Sequence, residues 1–120
     1  MNWKTYQELA ERTSAKLSSD LLDNLHYIMG IVTESAELLD PFKKSLAYNK
    51  PLDWVNVQEE IGDLVWYLAN FCRINNLDLE SILENNIKKL RARYPEKFDS
   101  EHAIYRDLNK EREVLEELGK

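Results

Sequence analysis

Apolar residues recur along this chain at alternating spacings of three and four, the period of helices that bury one face. Trp3, Tyr6, Leu9, Ala10 and Leu17 form a loose stripe that predicts a first helix over about Trp3 to Leu17. Ser18-Ser19-Asp20 offers N-cap chemistry for a second helix, on which Leu22, Leu25, Met29, Val32, Ala36 and Leu39 form a seam suited to another helix. Leu21, Ile28, Ile31 and Leu38 add a second apolar stripe, so much of that helix's circumference is apolar. Pro41 is expected to break or kink it after Asp40, leaving a turn or two over Phe42 to Tyr48 and a loop at Asn49-Lys50-Pro51.

Asp53 is a good N-cap for a third helix over about Trp54 to Asn75, apolar around most of its circumference. Asp78 caps a fourth, from Leu79 to about Tyr94, stopped by Pro95. Asp99-Ser100 begins a more polar last helix through Ile104, Leu108 and Leu115. The expected architecture is all-α: one domain over residues 1–120, a four-helix-bundle-like core to about residue 95 and a C-terminal helical extension from about 96.

Composition supports helices, with only three Gly and three Pro in 120 residues and therefore few hairpin turns. The net charge of −6, with no basic block, disfavours nucleic acid as a partner. Cys72 is the single cysteine, which rules out an intrachain disulfide or a cysteine-based zinc site and fits a reducing compartment. The N-terminus has no signal-peptide layout, and the apolar run from Leu64 to Phe71 is far too short to span a bilayer. A soluble cytoplasmic protein, without membrane partners, is the expectation.

Two carboxylate pairs change this picture. Glu34-Ser-Ala-Glu37 and Glu60-Ile-Gly-Asp63 each place two acids on one helix face. The same spacing recurs at Glu8/Glu11, Asp20/Asp23, Glu37/Asp40, Glu96/Asp99 and Glu113/Glu116, most of which read as solvated faces. The two chosen pairs differ in their surroundings. Glu34 and Glu37 fall in a polar strip with His26 and Gly30, between two apolar stripes. Asn56, Glu60, Asp63, Tyr67 and Asn70 make one narrow polar line on an otherwise apolar helix. Buried carboxylates without a counter-charge are costly, so this line calls for a cation. Four carboxylates suit Mg²⁺, or Mn²⁺, rather than Zn²⁺. A di-iron centre would need Glu-x-x-His on two helices, and the nearest spacings, Asp23/His26 and Asp99/His102, do not coincide with the strong pairs. On the fourth helix Asn86, Lys89 and Arg93 share a line and would suit the far side of a metal-bound polyphosphate.

Together these residues resemble the all-α nucleoside triphosphate pyrophosphohydrolases, the MazG-like group, whose paired E-x-x-E and E-x-x-D motifs match Glu34/Glu37 and Glu60/Asp63. The likeness extends to Gly30–Thr33, Tyr48–Trp54, Gly62–Leu68 and Asn86–Pro95, and covers roughly Leu25 to Phe98; Pro41 departs from the pattern. It implies divalent-metal-dependent hydrolysis of a nucleoside triphosphate to the monophosphate and pyrophosphate. Glu34, Glu37, Glu60 and Asp63 would be metal ligands; Asn86, Lys89 and Arg93 would hold phosphates; Tyr67 and Asn70 would reach sugar or base. The expected mechanism is in-line attack of metal-activated water on the α-phosphorus, with Glu34 or Glu37 taking the proton. A dCTP- or dUTP-selective relative of the same fold and a metal-free helical interaction module are the alternatives. The surplus apolar surface on the second and third helices, including Trp54, Trp66 and Phe71, predicts a homodimer or a dimer of dimers.

Overall fold

The computed structural model describes residues 1–117, and the last three residues of the expected C-terminal extension lie outside them. Among the described residues there are seven α-helices and no strand: α1 (Trp3–Glu11), α2 (Asp20–Glu37), α3 (Asp40–Tyr48), α4 (Trp54–Ile74), α5 (Leu79–Arg93), α6 (Ser100–Ile104) and α7 (Leu108–Glu117). The all-α expectation holds. None of these helices is long and apolar enough to cross a membrane.

The chain forms two compact units, Met1–Asn76 with α1 to α4 and a second that begins at Leu77 with α5 to α7. In the first unit α4 is central. It packs along α2 and carries α1 on another side, while α3 touches both α2 and α4. Ala10, Tyr27, Val57, Ala69 and Cys72 are its most buried apolar side chains, and Cys72 is a free thiol whose pKa is raised by burial. The expected caps are present: Ser19 Oγ accepts from Leu22 N at 3.2 Å, Asp53 Oδ1 from Asn56 N at 3.1 Å and Asp78 Oδ1 from Glu80 N at 3.2 Å.

Three boundaries differ from the sequence expectation. The first helix ends at Glu11 rather than near Leu17, because the Thr13 and Ser14 hydroxyls donate back to the Ala10 and Glu11 carbonyls and close the chain into a turn. Buried Asp23 then accepts from Leu17 N at 2.7 Å and pins the connection to α2. Pro41 does not merely end a helix. α2 stops at Glu37, two residues turn, and Pro41 sits in the first turn of α3, where its missing N–H is no loss. The expected last helix is two, since Asp107 Oδ1 accepts from Lys110 N at 3.0 Å and starts α7 afresh.

In the second unit α5 packs on α7. Arg93 donates from Nε (2.9 Å) and Nη2 (2.6 Å) to Glu111 Oε1, and Arg106 Nε donates to Glu111 Oε2 at 3.0 Å. Glu111 is buried, and the Arg106 and Arg93 hydrogen bonds hold its carboxyl below the usual range.

Candidate metal centre

The acids arrive on facing surfaces of α2 and α4, and the contact that brings those surfaces together is unusually close. Gly30 on α2 lies directly against the Tyr67 ring on α4, with no room between them for even a methyl group. That ring stands edge-on to Trp66 (centroids 4.9 Å apart) and His26 (5.9 Å), which hold its plane. One turn after Gly30 comes Glu34, and one turn before Asp63 come Glu59 and Glu60. Helix periodicity then aims the carboxylates into the gap between α2 and α4.

Glu34, Glu37 and Glu60 converge there, with one carboxylate oxygen of each within 4.8 Å of the others. Glu59, Glu60 and Asp63 form a second trio by the same measure, so Glu60 belongs to both. Glu60 is only 8% exposed. Its Oε1 accepts from the Asn56 side-chain amide at 3.2 Å, while Oε2 is buried without a hydrogen-bond partner. Glu34 Oε2 is buried and unpartnered as well.

The electrostatics follow from this crowding. Burial pushes the Glu34 carboxyl up to about 7, helped by the crowding of the Glu60 and Glu37 carboxylates beside it and by the charge of Asp63. Asp63, exposed yet partly desolvated by its surroundings, is raised by that desolvation and then by Glu60 and Glu59. The Tyr6 hydroxyl on α1 is raised by burial and by Asp63, which places Tyr6 at the edge of the same field. An all-oxygen donor set carrying buried, unsatisfied carboxylate oxygens fits a hard divalent cation, which would satisfy those oxygens and relieve the repulsion.

The other residues singled out in the sequence lie as follows. Tyr67 is half-buried against Gly30. Asn70, expected to reach a sugar or base, is fully buried; its amide donates to the Trp66 carbonyl at 3.1 Å and its Oδ1 accepts from Arg73 Nε (3.2 Å) and Nη2 (3.1 Å). Asn86, Lys89 and Arg93 are on α5 in the second unit, Asn86 exposed, Lys89 half-buried and Arg93 bound to Glu111. Trp66, expected among the surplus apolar residues, is accounted for inside the first unit: its indole donates to Thr13 Oγ1 at 3.0 Å and its ring meets Tyr27 edge-on.

Sequence reasoning missed Glu59, Tyr6 and Glu111. Glu59 had a signal, being the acid next to Glu60; Tyr6 had none, since it reads as part of the apolar stripe of α1.

Comparison with known proteins agrees with this geometry. Residues 22–98, which contain both acid pairs, match the MazG nucleotide pyrophosphohydrolase domain. The chain is also similar to the Gene 37 protein of Mycobacterium phage L5, at 32% identity over 82 residues, 62% of this chain and 69% of that protein. No solved structure matches it. With four of its seven described helices wholly or largely inside the matched span and Glu34, Glu37 and Glu60 converging between α2 and α4, the chain belongs to the MazG nucleotide pyrophosphohydrolase family.

Proposed function

We propose that the protein hydrolyses a nucleoside triphosphate to the monophosphate and pyrophosphate, with Mg²⁺ or Mn²⁺ held by Glu34, Glu37, Glu60 and Asp63. The observation that carries this reading is the pair of buried, unpartnered oxygens on Glu34 and Glu60, supplied by two different helices and joined by Glu37 within 4.8 Å. A bound cation would lower the pKa of water and offset charge on the attacking and leaving oxygens. Water attacks the α-phosphorus in line, the bond from that phosphorus to the α,β-bridging oxygen breaks, and pyrophosphate departs with the electron pair. Glu34 and Glu37 are the two candidates for the proton acceptor. Tyr67, one turn past Asp63, would contact sugar or base.

The test is a panel of canonical and modified nucleoside triphosphates with Mg²⁺, with products separated. Monophosphate and pyrophosphate are expected in equal amounts; diphosphate and orthophosphate as main products would overturn the reading. A strong preference for dCTP or dUTP within the panel would narrow it.

A homodimer belongs to the same proposal. On α2, Leu22, Leu25, Met29 and Val32 form one stripe, each between 43% and 63% exposed, and Trp54 on α4 is 61% exposed. That is a large apolar area for a chain of this size to leave in water. Light scattering at low micromolar concentration is expected to give twice the monomer mass or a multiple of it, and an active monomer would contradict it.

A further inference from the structure

A cavity of about 880 Å³ opens between α3, the loop after it and the first turns of α4. Glu37 and Glu60 of the acidic centre form part of its wall. Lys44 and Lys50 also line it. We propose that this cavity receives the two terminal phosphates of the substrate, and afterwards the pyrophosphate product, with Lys44 and Lys50 as the phosphate-binding cations; this rests on the pyrophosphohydrolase reading above and names its leaving-group site.

Three observations carry it. First, the cavity wall carries both cations and unengaged acids. Of its four lining acids, Asp53 caps Asn56 N and Asp40 pairs with Lys44 at 2.7 Å, so both are engaged. The remaining two, Glu37 and Glu60, are members of the acidic trio, and Glu60 is more than nine-tenths buried with an unpartnered Oε2. A metal-chelated polyphosphate calls for both: acids to hold its cation and ammonium groups to meet its residual negative charge.

Second, the lysines are positioned by local structure. Asp40 lies one turn before Lys44 on α3 and holds its ammonium. Asn49 ends α3 in the left-handed conformation (φ 51°, ψ 44°). That turn lets Lys50 N donate to the Ser45 carbonyl at 3.3 Å and the Ser45 hydroxyl donate to the Lys50 carbonyl at 2.6 Å, fixing the backbone beneath the second lysine. Third, no aromatic side chain lines the cavity. A nucleobase would find nothing there to stack on, whereas the ammonium groups suit phosphate oxygens.

Calorimetric titration of inorganic pyrophosphate into the protein at saturating Mg²⁺ tests the site without turnover. Lys44→Ala and Lys50→Ala should each weaken binding about tenfold, the size of one lost charge-assisted hydrogen bond. Lys44→Arg should restore most of it. Lys43→Ala, an exposed neighbour outside the cavity, should bind as the unaltered chain does. Nucleoside monophosphate affinity and Mn²⁺ affinity in the absence of phosphate should be unchanged in all four, since neither uses the terminal-phosphate site. Unchanged pyrophosphate affinity in both alanine variants would overturn the assignment, as would an unaltered protein that fails to bind pyrophosphate, or an equal loss of monophosphate binding. Lysine-dependent pyrophosphate binding without nucleotide hydrolysis would support the site and overturn the activity; hydrolysis with lysine-independent binding would do the reverse.

Discussion

Glu37→Ala and Asp63→Ala are expected to lose at least about a hundredfold in turnover while keeping the helical circular dichroism of the unaltered chain. Residues that merely support metal ligands commonly contribute about 10–100-fold, so the ligands themselves should exceed that range. Both side chains are exposed, so neither truncation opens a core cavity. The same variants should behave in an unusual direction in chelator-treated buffer. Glu34 has an ordinary carboxyl pKa of 4.5 and is raised to about 7 in the fold, by burial first and then by Glu60 and Glu37. Between those values the folded chain holds a proton that the unfolded chain has released. Stability of the metal-free protein therefore falls as pH rises from about 5 to about 8. Asp63, raised by partial desolvation and by Glu60 and Glu59, adds a contribution of the same sign. Removing Glu37 takes away a crowding, repelling carboxylate that raises Glu34. The melting temperature of Glu37→Ala should thus exceed that of the unaltered chain near pH 8, and the gap should close near pH 5. Adding Mg²⁺ should reverse the order, since ligation stabilises the intact site by mass action. Thermal melts at both pH values, with and without Mg²⁺, check this. Equal stabilisation by Mg²⁺ in the variant and the unaltered chain would show that Glu37 is not a ligand.

Legibility of the fold in the sequence depended on whether a signal was local. α4 was readable from end to end because Asp53 caps it and its apolar residues repeat without interruption. The early stop of α1 was not, because Leu17 extends the apolar stripe past the point where Thr13 and Ser14 hydrogen-bond backwards. Asp107 carried a cap signal for α7, but the apolar spacing of Ile104, Leu108 and Leu115 concealed the break before it.

The acidic centre was legible for the same reason as α4. Two i, i+3 pairs on helices with apolar surroundings had few places to point: Glu34, Glu37 and Glu60 converge, and Asp63 shares a second trio with Glu60. The cationic groups were not. Lys44 and Lys50 line one cavity only because Asn49 turns the chain left-handed at the end of α3, and Arg93 meets a carboxylate 18 residues away on another helix. Helix periodicity places a residue on a face; it does not say which non-local partner that face will meet. Asn70 illustrates the limit from the other side. It falls on the same polar line as Glu60 and Asp63, yet Arg73, one turn on, turns it into a buried structural hydrogen-bonding group.

Gly30→Ala is expected to destabilise the protein and weaken its response to Mg²⁺, although alanine is the better helix former. A Cβ at Gly30 would lie 2.1 Å from Tyr67 Cδ1, 2.2 Å from Cε1 and 2.5 Å from Cγ. Those atoms are the near side of a ring, not a flexible tip, and Trp66 and His26 stand edge-on against it. Either the ring swings or α2 moves away from α4. Overpacking of this kind costs about 1–3 kcal/mol, set against about 0.5–1 kcal/mol that replacing glycine by alanine returns in a helix interior. Gly62 is the internal control: nothing lies within 4 Å of a Cβ there, so Gly62→Ala should show only the favourable part. Displacement at Gly30 propagates to the site because Glu34 is one turn further along α2 and must stay within reach of Glu60 on α4. The melting-temperature gain on adding Mg²⁺ should therefore shrink in Gly30→Ala and persist in Gly62→Ala. Truncating the ring tests the cause. In a Tyr67→Ala background the added methyl has room, so Gly30→Ala should cost little there, and the two substitutions should couple strongly in a double-mutant cycle. Additive costs would mean that contact with Tyr67 is not what requires glycine at position 30.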